Sequence, residues 1–310
     1  MPILRDNGGK HGNVLLPAAS TLAMIVTDDH STLCSADVRR RFDHAARDFD
    51  AADFVHRFAR DGLFARILPM SVDARLVVDL GAATGSAGAR LTKRFRGARV
   101  VAVDLSRKML GKLQRKRGWF SKISAVQGDA RALPFADASV DVIFANLLLP
   151  WIDEPGVAFA EIARVLRKDG LFAFSTLGPD SLLGLREAWR AADSGAHVRR
   201  FADMHDVGDA LVQAGLRDPV LDVDQLSVTY RSSDALFRDI TAAGARNSLL
   251  QRAHGLAGRR RFGVMTDALF GAGEAALQFE LVYGHCWGCG PRSATGGVPI
   301  DARNIPLRRR

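Results

Sequence analysis

Apolar residues recur with two different periods along this chain of 310 residues. Between residues 37 and 68 they return every three or four positions among Arg, Asp and His, which is the spacing of one face of an amphipathic helix. These apolar positions are Val38, Phe42, Phe49, Phe54, Phe58, Leu63, Phe64 and Ile67. The segment therefore predicts one or two helices, which Pro69 ends because proline cannot continue a helix.

Beyond Pro69 the pattern changes to short apolar runs separated by longer amphipathic stretches. The runs are at 76–80, 100–104, 124–127, 140–144 and 171–175, and each is short enough for a strand and apolar enough to be covered on both faces. Helical candidates lie between them at 86–95, 108–116 and 155–166. Strands that alternate with helices predict an α/β fold with a doubly wound, mostly parallel sheet.

The part of the chain after Pro179 predicts further elements on the same domain. Helices are predicted at 182–191, 204–214 and 233–243, strands at 220–230 and 277–283, and a loop over the basic stretch 246–261. We expect one folded domain over 36–290, a disordered leader over 1–35 and a flexible basic tail over 291–310. The leader's apolar run, 14–27, is too short to cross a bilayer, and acidic residues on both sides of it argue against a secretory signal.

Composition adds a hint about partners. Hydrophobic residues make up 47% of the chain and charged residues 25%, which is ordinary for a folded protein. Lys and Arg number 43 against 34 Asp and Glu, a formal net charge of +9. This excess would attract nucleic acid, an anionic membrane face or an acidic carrier protein, and the charge alone does not choose among them.

The three cysteines, Cys34, Cys286 and Cys289, are too few and odd in number for a disulfide scaffold. They favour a reducing, cytoplasmic setting. Cys286 and Cys289 have the spacing of a zinc or redox pair, but no second pair follows to complete four ligands. We therefore predict no metal.

The candidate chemistry begins with a glycine turn directly after the first predicted strand. Gly81 and Gly85 allow a tight turn and a close approach of backbone to ligand. The spacing matches neither the dinucleotide fingerprint nor the phosphate loop. The turn alone is thus a weak signal.

Polar side chains at the ends of the next three strands strengthen it. Asp104 ends the second strand, about twenty residues after the glycines, where a carboxylate can accept both hydroxyls of a ribose. Asp129 follows the third strand and Asn146 the fourth. Because ligands of open α/β sheets bind outside the carboxyl ends of the strands, these residues predict one site for a nucleoside.

With these motifs in place, residues 37–177 resemble the class I methyltransferases that bind S-adenosylmethionine. In that family the glycine turn faces the methionine and ribose, the acid after the second strand holds the ribose, the acid after the third meets the adenine amino group, and the fourth strand end lines the methyl side. The resemblance implies that 70–177 is the cofactor half and 178–290 the substrate-side half. It implies cofactor binding by Phe42, Phe49, Asp79, Gly81, Ala83, Gly85, Asp104, Leu105, Asp129, Ala130 and Asn146. Ala83 stands where the family usually has a glycine.

A narrower resemblance is to the BioC family, which methylates malonyl-acyl-carrier protein at the start of biotin synthesis. The segments that carry it are 41–50, 176–182, 186–189, 200–210 and 278–285, and Phe49 stands where those proteins usually have Tyr. The resemblance implies S-adenosylmethionine as cofactor and an acidic carrier protein with a malonyl group, or malonyl-coenzyme A, as partner, with no role for nucleic acid or membrane.

A malonyl carboxylate is already ionised at pH 7, so this reaction needs alignment and desolvation more than a general base. Candidates for orienting the malonyl group are Tyr230, His205, Arg238, Arg246 and Arg252. Two basic clusters could receive the carrier protein: Arg107, Lys108, Lys112, Arg115, Lys116 and Arg117, or Arg246, Arg252, Arg259, Arg260 and Arg261.

Three alternatives remain open. The layout also resembles the methyltransferase-like proteins of respiratory complex I assembly, which act on a protein arginine. An RNA-binding methyltransferase would suit the run at 259–261, although the aromatic residues that stack bases are not interleaved with it. Ala83 and Phe49 leave room for a cofactor-binding module without catalysis.

Overall fold

A computed structural model describes residues 32–116, 123–252, 258–271 and 273–290. The predicted tail and most of the predicted leader lie outside these residues. The boundary predicted for the leader at residue 35 is too late, because Leu33 is already buried and its N–H donates to Asp153 Oδ1 at 2.9 Å. The next amide, of Cys34, donates to the carbonyl of Ser248 at 2.9 Å.

A single sheet carries the seven strands of the described residues, in the order β3-β2-β1-β4-β5-β7-β6. Strands β1 to β5 are parallel, and β7 runs antiparallel to both β5 and β6. The bounds are β1 Leu76–Leu80, β2 Arg99–Asp104, β3 Ile123–Gln127, β4 Val140–Asn146, β5 Leu166–Leu177, β6 Leu216–Tyr230 and β7 Ala275–Gly288. The predicted α/β fold with a mostly parallel sheet is confirmed.

Helices cover both faces of this sheet. Their bounds are α1 Ser35–Ala45, α2 Phe54–Ile67, α3 Gly88–Arg94, α4 Arg107–Lys116, α5 Pro155–Val165, α6 Leu183–Ala192, α7 Met204–Gln213, α8 Ser233–Ala242 and α9 Arg259–Phe270. Short 3-10 turns occupy Phe49–Ala52 and Leu149–Trp151. The central strands are apolar on both faces because each face is packed under helices: Phe64 of α2 stacks on Phe144 of β4 with ring centroids 4.7 Å apart.

Helix α9 corrects the loop that the sequence predicted over 246–261. Its arginines occupy only the first turn, while Phe262, Met265 and Leu269 follow at helical spacing and pack on α6 and α8. Met265 is fully buried, and the Phe262 ring lies 5.0 Å from that of Phe237. Because the first turn of α9 consists of arginines, the sequence pattern did not reveal that the segment is an amphipathic helix.

An apolar cluster formed by α6, α8, α9 and the start of β7 determines where the substrate-side half sits. Helices α6, α8 and α9 pack around Leu236, Met265 and Leu277, next to the paired ends of β6 and β7. Because β7 is antiparallel to β5, its first residues lie beyond the end of β5, at the edge where the parallel strands finish. The substrate-side half therefore stands beside the strand ends that carry the predicted site.

Candidate functional site

The glycine turn adopts the left-handed backbone that its composition suggests. Gly81 and Gly85 have φ angles of +74° and +81°, and Ala83 between them has +46°, which is unusual for a residue with a side chain. The amides of Gly81 and Ala82 donate to the carbonyl of Val103 at 2.8 and 3.1 Å. The turn is thus tied to β2 rather than free to move.

Two carboxylates lie behind and beside this turn. Asp104 accepts from the amides of Ala83 at 2.8 Å and Ser106 at 2.7 Å, and burial raises its pKa to about 6 despite these bonds. Burial, with a smaller contribution from the charge of Asp104, raises the pKa of Asp79 to about 7. Each carboxylate oxygen has two lone pairs, so Asp104 can accept further hydrogen bonds from a ligand.

The third and fourth strand ends are held rigidly. Asp129 forms a two-point ion pair with Arg131, whose hydrogen bonds hold the pKa of Asp129 below its usual range. Asn146 donates from Nδ2 to the carbonyl of His56 at 3.0 Å and accepts from the hydroxyl of Ser175 at 2.9 Å. Asn146 therefore links the end of β4 to helix α2.

The N-terminal segment closes over these strand ends through carboxylates. Asp43 accepts from the hydroxyl of Ser106 at 2.6 Å, and Asp50 accepts from the hydroxyl of Thr84 at 2.6 Å. Lys112 and Lys116 of α4 pair with Asp50 at 2.9 and 2.6 Å. Burial would raise the pKa of Asp50, but these cations and the hydroxyl lower it to about 2. We call α1 and the following 3-10 turn the N-terminal cover.

Under the cover is a cavity that is partly open to solvent, which we call the strand-end cavity. Nine of the eleven residues predicted to bind the cofactor line it. They are Phe42, Phe49, Gly81, Ala83, Asp104, Leu105, Asp129, Ala130 and Asn146. Asp79 and Gly85 do not line it: Asp79 is buried behind the turn, and the backbone of Gly85 faces Leu113. These two positions shape the turn from behind.

A second, larger and more apolar cavity adjoins the first, and we call it the apolar cavity. His56, Leu147 and Trp151 line both cavities and so mark their junction. Side chains from α6, α8 and α9 form much of its wall, among them Leu185, Phe237 and Phe262.

The residues predicted to orient the substrate divide into two groups. Tyr230 and Arg246 line the apolar cavity. His205, Arg238 and Arg252 line neither cavity, and their role in orienting the substrate stays a prediction. Asp203 caps the start of α7 and its carboxylate also contacts the exposed ring of His205, Arg238 lies on the exposed side of α8, and Arg252 pairs with Asp37.

Sequence reasoning missed three residues that the fold brings to the cavities. His56 and Trp151 stand at the junction, and Arg199 lines the apolar cavity. His56 is one of the polar residues between the apolar positions of the predicted helix, which gives no signal of a site, whereas Trp151 follows the end of the fourth predicted strand, which is a usable signal. Nothing in the sequence distinguishes Arg199 from the many other arginines.

The donors and acceptors of the strand-end cavity fit S-adenosylmethionine. Asp104 and Asp129 line the cavity with carboxylates that can accept hydrogen bonds from hydroxyl and amino groups, and Phe49 supplies an aromatic surface on the cover. The buried Asp79 Oδ2 has no hydrogen-bond partner in the described structure, and neither has His56 Nδ1. A cationic, polar ligand beside the turn would reduce the repulsion between the two carboxylates.

Comparison with known proteins decides the family. Residues 78–174 match the family described as Methyltransferase domain. The malonyl-[acyl-carrier protein] O-methyltransferase of Halorhodospira halophila is 40% identical over 282 residues, which cover 88% of this chain and 96% of that protein. Its namesake from Methylovorus sp. is 38% identical over 84% of this chain and 92% of that protein. The chain belongs to the malonyl-[acyl-carrier protein] O-methyltransferase family.

This membership confirms both resemblances found in the sequence. The chain is an enzyme, an S-adenosylmethionine-dependent methyltransferase, and the complex I, RNA-binding and non-catalytic alternatives are not favoured. The crystal structure of the YcgJ protein from Bacillus subtilis, 16% identical, covers 75% of this chain and 99% of its own with a TM-score of 0.54, and so shares the fold.

Two features are absent from the described residues. None of their helices is long and apolar enough to span a membrane. Within the same ranges, no group of three His, Cys, Asp or Glu side chains is placed to hold a metal ion.

Proposed function

We propose that this member of the family methylates the free carboxylate of a malonyl group carried as a thioester by an acyl-carrier protein. The resulting methyl ester would begin biotin synthesis. The names of the relatives support this substrate. The structural observation that carries the proposal is the junction of two cavities at His56, Leu147 and Trp151: the strand-end cavity, which Asp104 and Asp129 line, and the apolar cavity.

The chemistry asks little of the protein in proton transfer. When bound, S-adenosylmethionine supplies an electrophilic methyl group: a carboxylate oxygen bonds to that carbon as the carbon–sulfur bond breaks, and its electron pair stays on sulfur. The acceptor is ionised at neutral pH, so the chain's task is to align it and exclude water. An apolar cavity with few polar groups suits that task.

Within the strand-end cavity, we assign the ribose hydroxyls to Asp104 and the adenine amino group to Asp129. Phe49 and Phe42 on the N-terminal cover would pack over the cofactor. Leu105, Ala130, Gly81 and Ala83 would line the remaining surface, and Asn146 the methyl side. In this assignment residues 70–177 remain the cofactor half and 178–290 the substrate-side half.

The partner we propose is the acidic carrier protein, with malonyl-coenzyme A as the small-molecule alternative, and no role for nucleic acid or membrane. The net charge of +9 favours an acidic partner. We also place the reaction in the cytoplasm, where Cys34, Cys286 and Cys289, which are free thiols, would remain reduced.

The direct test is a methyl-transfer assay with the purified full chain. With S-adenosylmethionine, malonyl-carrier protein should gain one methyl group, detected by mass spectrometry, while acetyl-carrier protein, which lacks the second carboxylate, should not. Parallel assays with malonyl-coenzyme A distinguish the two carriers. Measurable binding of S-adenosylmethionine without transfer to any malonyl thioester would overturn the proposal.

A test in cells complements the assay. The gene should restore growth without biotin to a bacterial strain that lacks its own malonyl-carrier-protein methyltransferase. A variant with Asp104→Ala should not, because it loses the acceptor that we assign to the ribose. Growth with the variant would show that the cofactor site has been misplaced.

A further inference from the structure

Arg199 carries a guanidinium in the wall of the apolar cavity, and the described residues offer it no acidic partner in an ion pair. It donates from Nη1 to the carbonyl oxygens of Pro150 at 3.0 Å and Ile152 at 3.1 Å. None of the ion pairs of the described residues involves Arg199. The negative charge of Asp153 opposes the lowering of the Arg199 pKa by burial, but the two side chains are not in ion-pair contact. Burial lowers the pKa of Arg199, as expected for a cation removed from water without a counter-charge.

The two carbonyls place this cation at the junction of the cavities. They belong to the turn Leu149–Trp151 and the residue after it. Trp151 lines both cavities, Pro150 lines the apolar cavity and Ile152 lines the strand-end cavity. Arg199 is therefore fastened to the segment that separates the cofactor side from the acceptor side.

The remaining donors of Arg199 are available to a ligand. Its two described hydrogen bonds both use Nη1, which leaves Nε and Nη2. Neither Nε nor Nη2 has a hydrogen-bond partner among the described residues, and Arg199 lines the apolar cavity. Two parallel N–H groups of a guanidinium form the fork that matches a carboxylate.

Other polar groups of the apolar cavity suit this role less well. His197 is stacked on Trp189 and bonded to Asp193 at 2.7 Å. Burial and a hydrogen bond with Asp239 raise the pKa of Tyr230 to about 12, so Tyr230 remains neutral. Arg246 is exposed, and its charge is largely screened by water.

We propose that Arg199 binds the acceptor's free carboxylate and thereby selects acyl thioesters that end in a carboxylate. This inference rests on the proposed function and adds the residue that recognises the reacting group. With the carboxylate held in the fork, each oxygen keeps a further lone pair for the new bond to carbon. The methyl ester is neutral, so the product loses the charge interaction with Arg199 and leaves more readily than a carboxylate would.

The test compares two small thioesters, malonyl- and acetyl-N-acetylcysteamine, which differ in the terminal carboxylate and avoid the charges of carrier protein and coenzyme A. The wild-type enzyme should bind the malonyl compound at least about tenfold more tightly than the acetyl compound, in line with a charge-assisted hydrogen-bonded pair. Arg199→Gln should abolish this preference and raise KM for the malonyl thioester by a similar factor. Arg199→Lys, which keeps the charge without the fork, should retain part of it.

Two controls separate recognition from structural damage. Arg190→Gln removes the same charge from an exposed position on α6 and should leave the preference unchanged. The affinity of the Arg199 variants for S-adenosylmethionine, measured by calorimetry, should stay within about twofold of the wild type because Arg199 does not line the strand-end cavity. If Gln weakens folding, the Lys variant still reports the selectivity.

The outcomes for the two proposals are distinguishable. A wild-type enzyme that methylates the malonyl thioester, with an Arg199→Gln variant that still prefers malonyl over acetyl, would overturn the role of Arg199 and leave the proposed function intact. A wild-type enzyme that prefers the malonyl compound but transfers no methyl group would support the carboxylate site and contradict the reaction.

Discussion

Ala83 and Gly85 show how differently two left-handed positions in one turn respond to a side chain. A methyl group on Ala83 packs against the cluster of Ala45, Phe49 and Met109, which offsets the strain of its positive φ. A Cβ on Gly85 would lie 2.5 Å from Leu113 Cδ1 and 2.6 Å from its Cγ, inside a buried helix face. The replacement of the family's glycine by Ala83 is therefore accommodated, whereas Gly85 is required.

This contrast gives the first prediction. Ala83→Gly should change the free energy of unfolding by less than about 1 kcal/mol, because relief of backbone strain opposes the lost methyl burial and the added chain entropy. Gly85→Ala should lower it by about 2–4 kcal/mol through backbone strain and overlap with Leu113. Urea denaturation of the cofactor-free protein measures both, and equal losses in the two variants would contradict the packing argument.

The raised pKa values of Asp104 and Asp79 predict opposite pH dependences for binding and stability. Cofactor hydroxyls favour ionised Asp104, so the affinity for S-adenosylmethionine should fall as the pH drops through about 6. In the cofactor-free protein the folded-state pKa values exceed those of the unfolded chain. Their stabilising contribution is complete below about pH 4 and is lost as the pH rises through about 6 for Asp104 and about 7 for Asp79.

Calorimetric titrations between about pH 5 and pH 8 test the binding half of this prediction. Asp104→Asn should bind the cofactor more weakly and lose most of the pH dependence below about pH 7. An affinity of the wild type that is constant over this range would mean that Asp104 does not contact the cofactor.

At the scale of elements, the N-terminal cover is held to the glycine turn and α4 by a few carboxylate contacts. We expect the double variant Asp43→Ala, Asp50→Ala to weaken binding of S-adenosylmethionine by at least tenfold, mainly through faster dissociation. Loss of hydrogen bonds to charged groups costs about 1.5–3 kcal/mol each, and a loosened cover no longer encloses the ligand. Arg47→Ala is the control, since its side chain is exposed and, among the described ion pairs, contacts only the neighbouring Asp48.

Stopped-flow measurement of cofactor release tests this prediction, and hydrogen exchange over residues 35–52 reports the cover directly. Release at the wild-type rate from the double variant would show that the cover does not retain the cofactor.

The same elements show what the sequence could and could not predict. Periodicity located the parallel strands because their residues are buried on both faces, and β1 at Leu76–Leu80 agrees at both ends. It missed α9, whose first turn is all arginine, and it could not anticipate the junction at His56 and Trp151, which arises only when α2 packs against the end of β4. Arg199 acquires its surroundings from a turn about 50 residues away in sequence, so no local pattern reveals it.

At the scale of the whole molecule, the structure shows where the excess positive charge lies, which the composition alone could not show. Lys112 and Lys116 form ion pairs with Asp50, and Arg252 forms one with Asp37. Part of the charge of both predicted basic clusters is therefore neutralised within the protein. The arginines at 259–261 are exposed at the start of α9. The next residue of that helix, Phe262, lines the apolar cavity, which places these arginines beside the acceptor side.

An acidic carrier protein that approaches this side should be steered by that charge. KM for malonyl-carrier protein should rise several-fold between about 0.05 and 0.3 M NaCl, whereas KM for malonyl-N-acetylcysteamine should change little, because salt screens only the long-range attraction between macromolecules. Replacing Arg259, Arg260 and Arg261 by Gln should raise KM for the carrier protein at low salt and flatten its salt dependence.

The control variant loses the same three charges at Arg75, Arg96 and Arg99, which are exposed at or near the amino ends of β1 and β2. It should have a smaller effect on KM, because that end of the sheet is opposite the cavities. Equal effects of the two triple variants would mean that net charge alone, rather than the arginines at the start of α9, attracts the carrier.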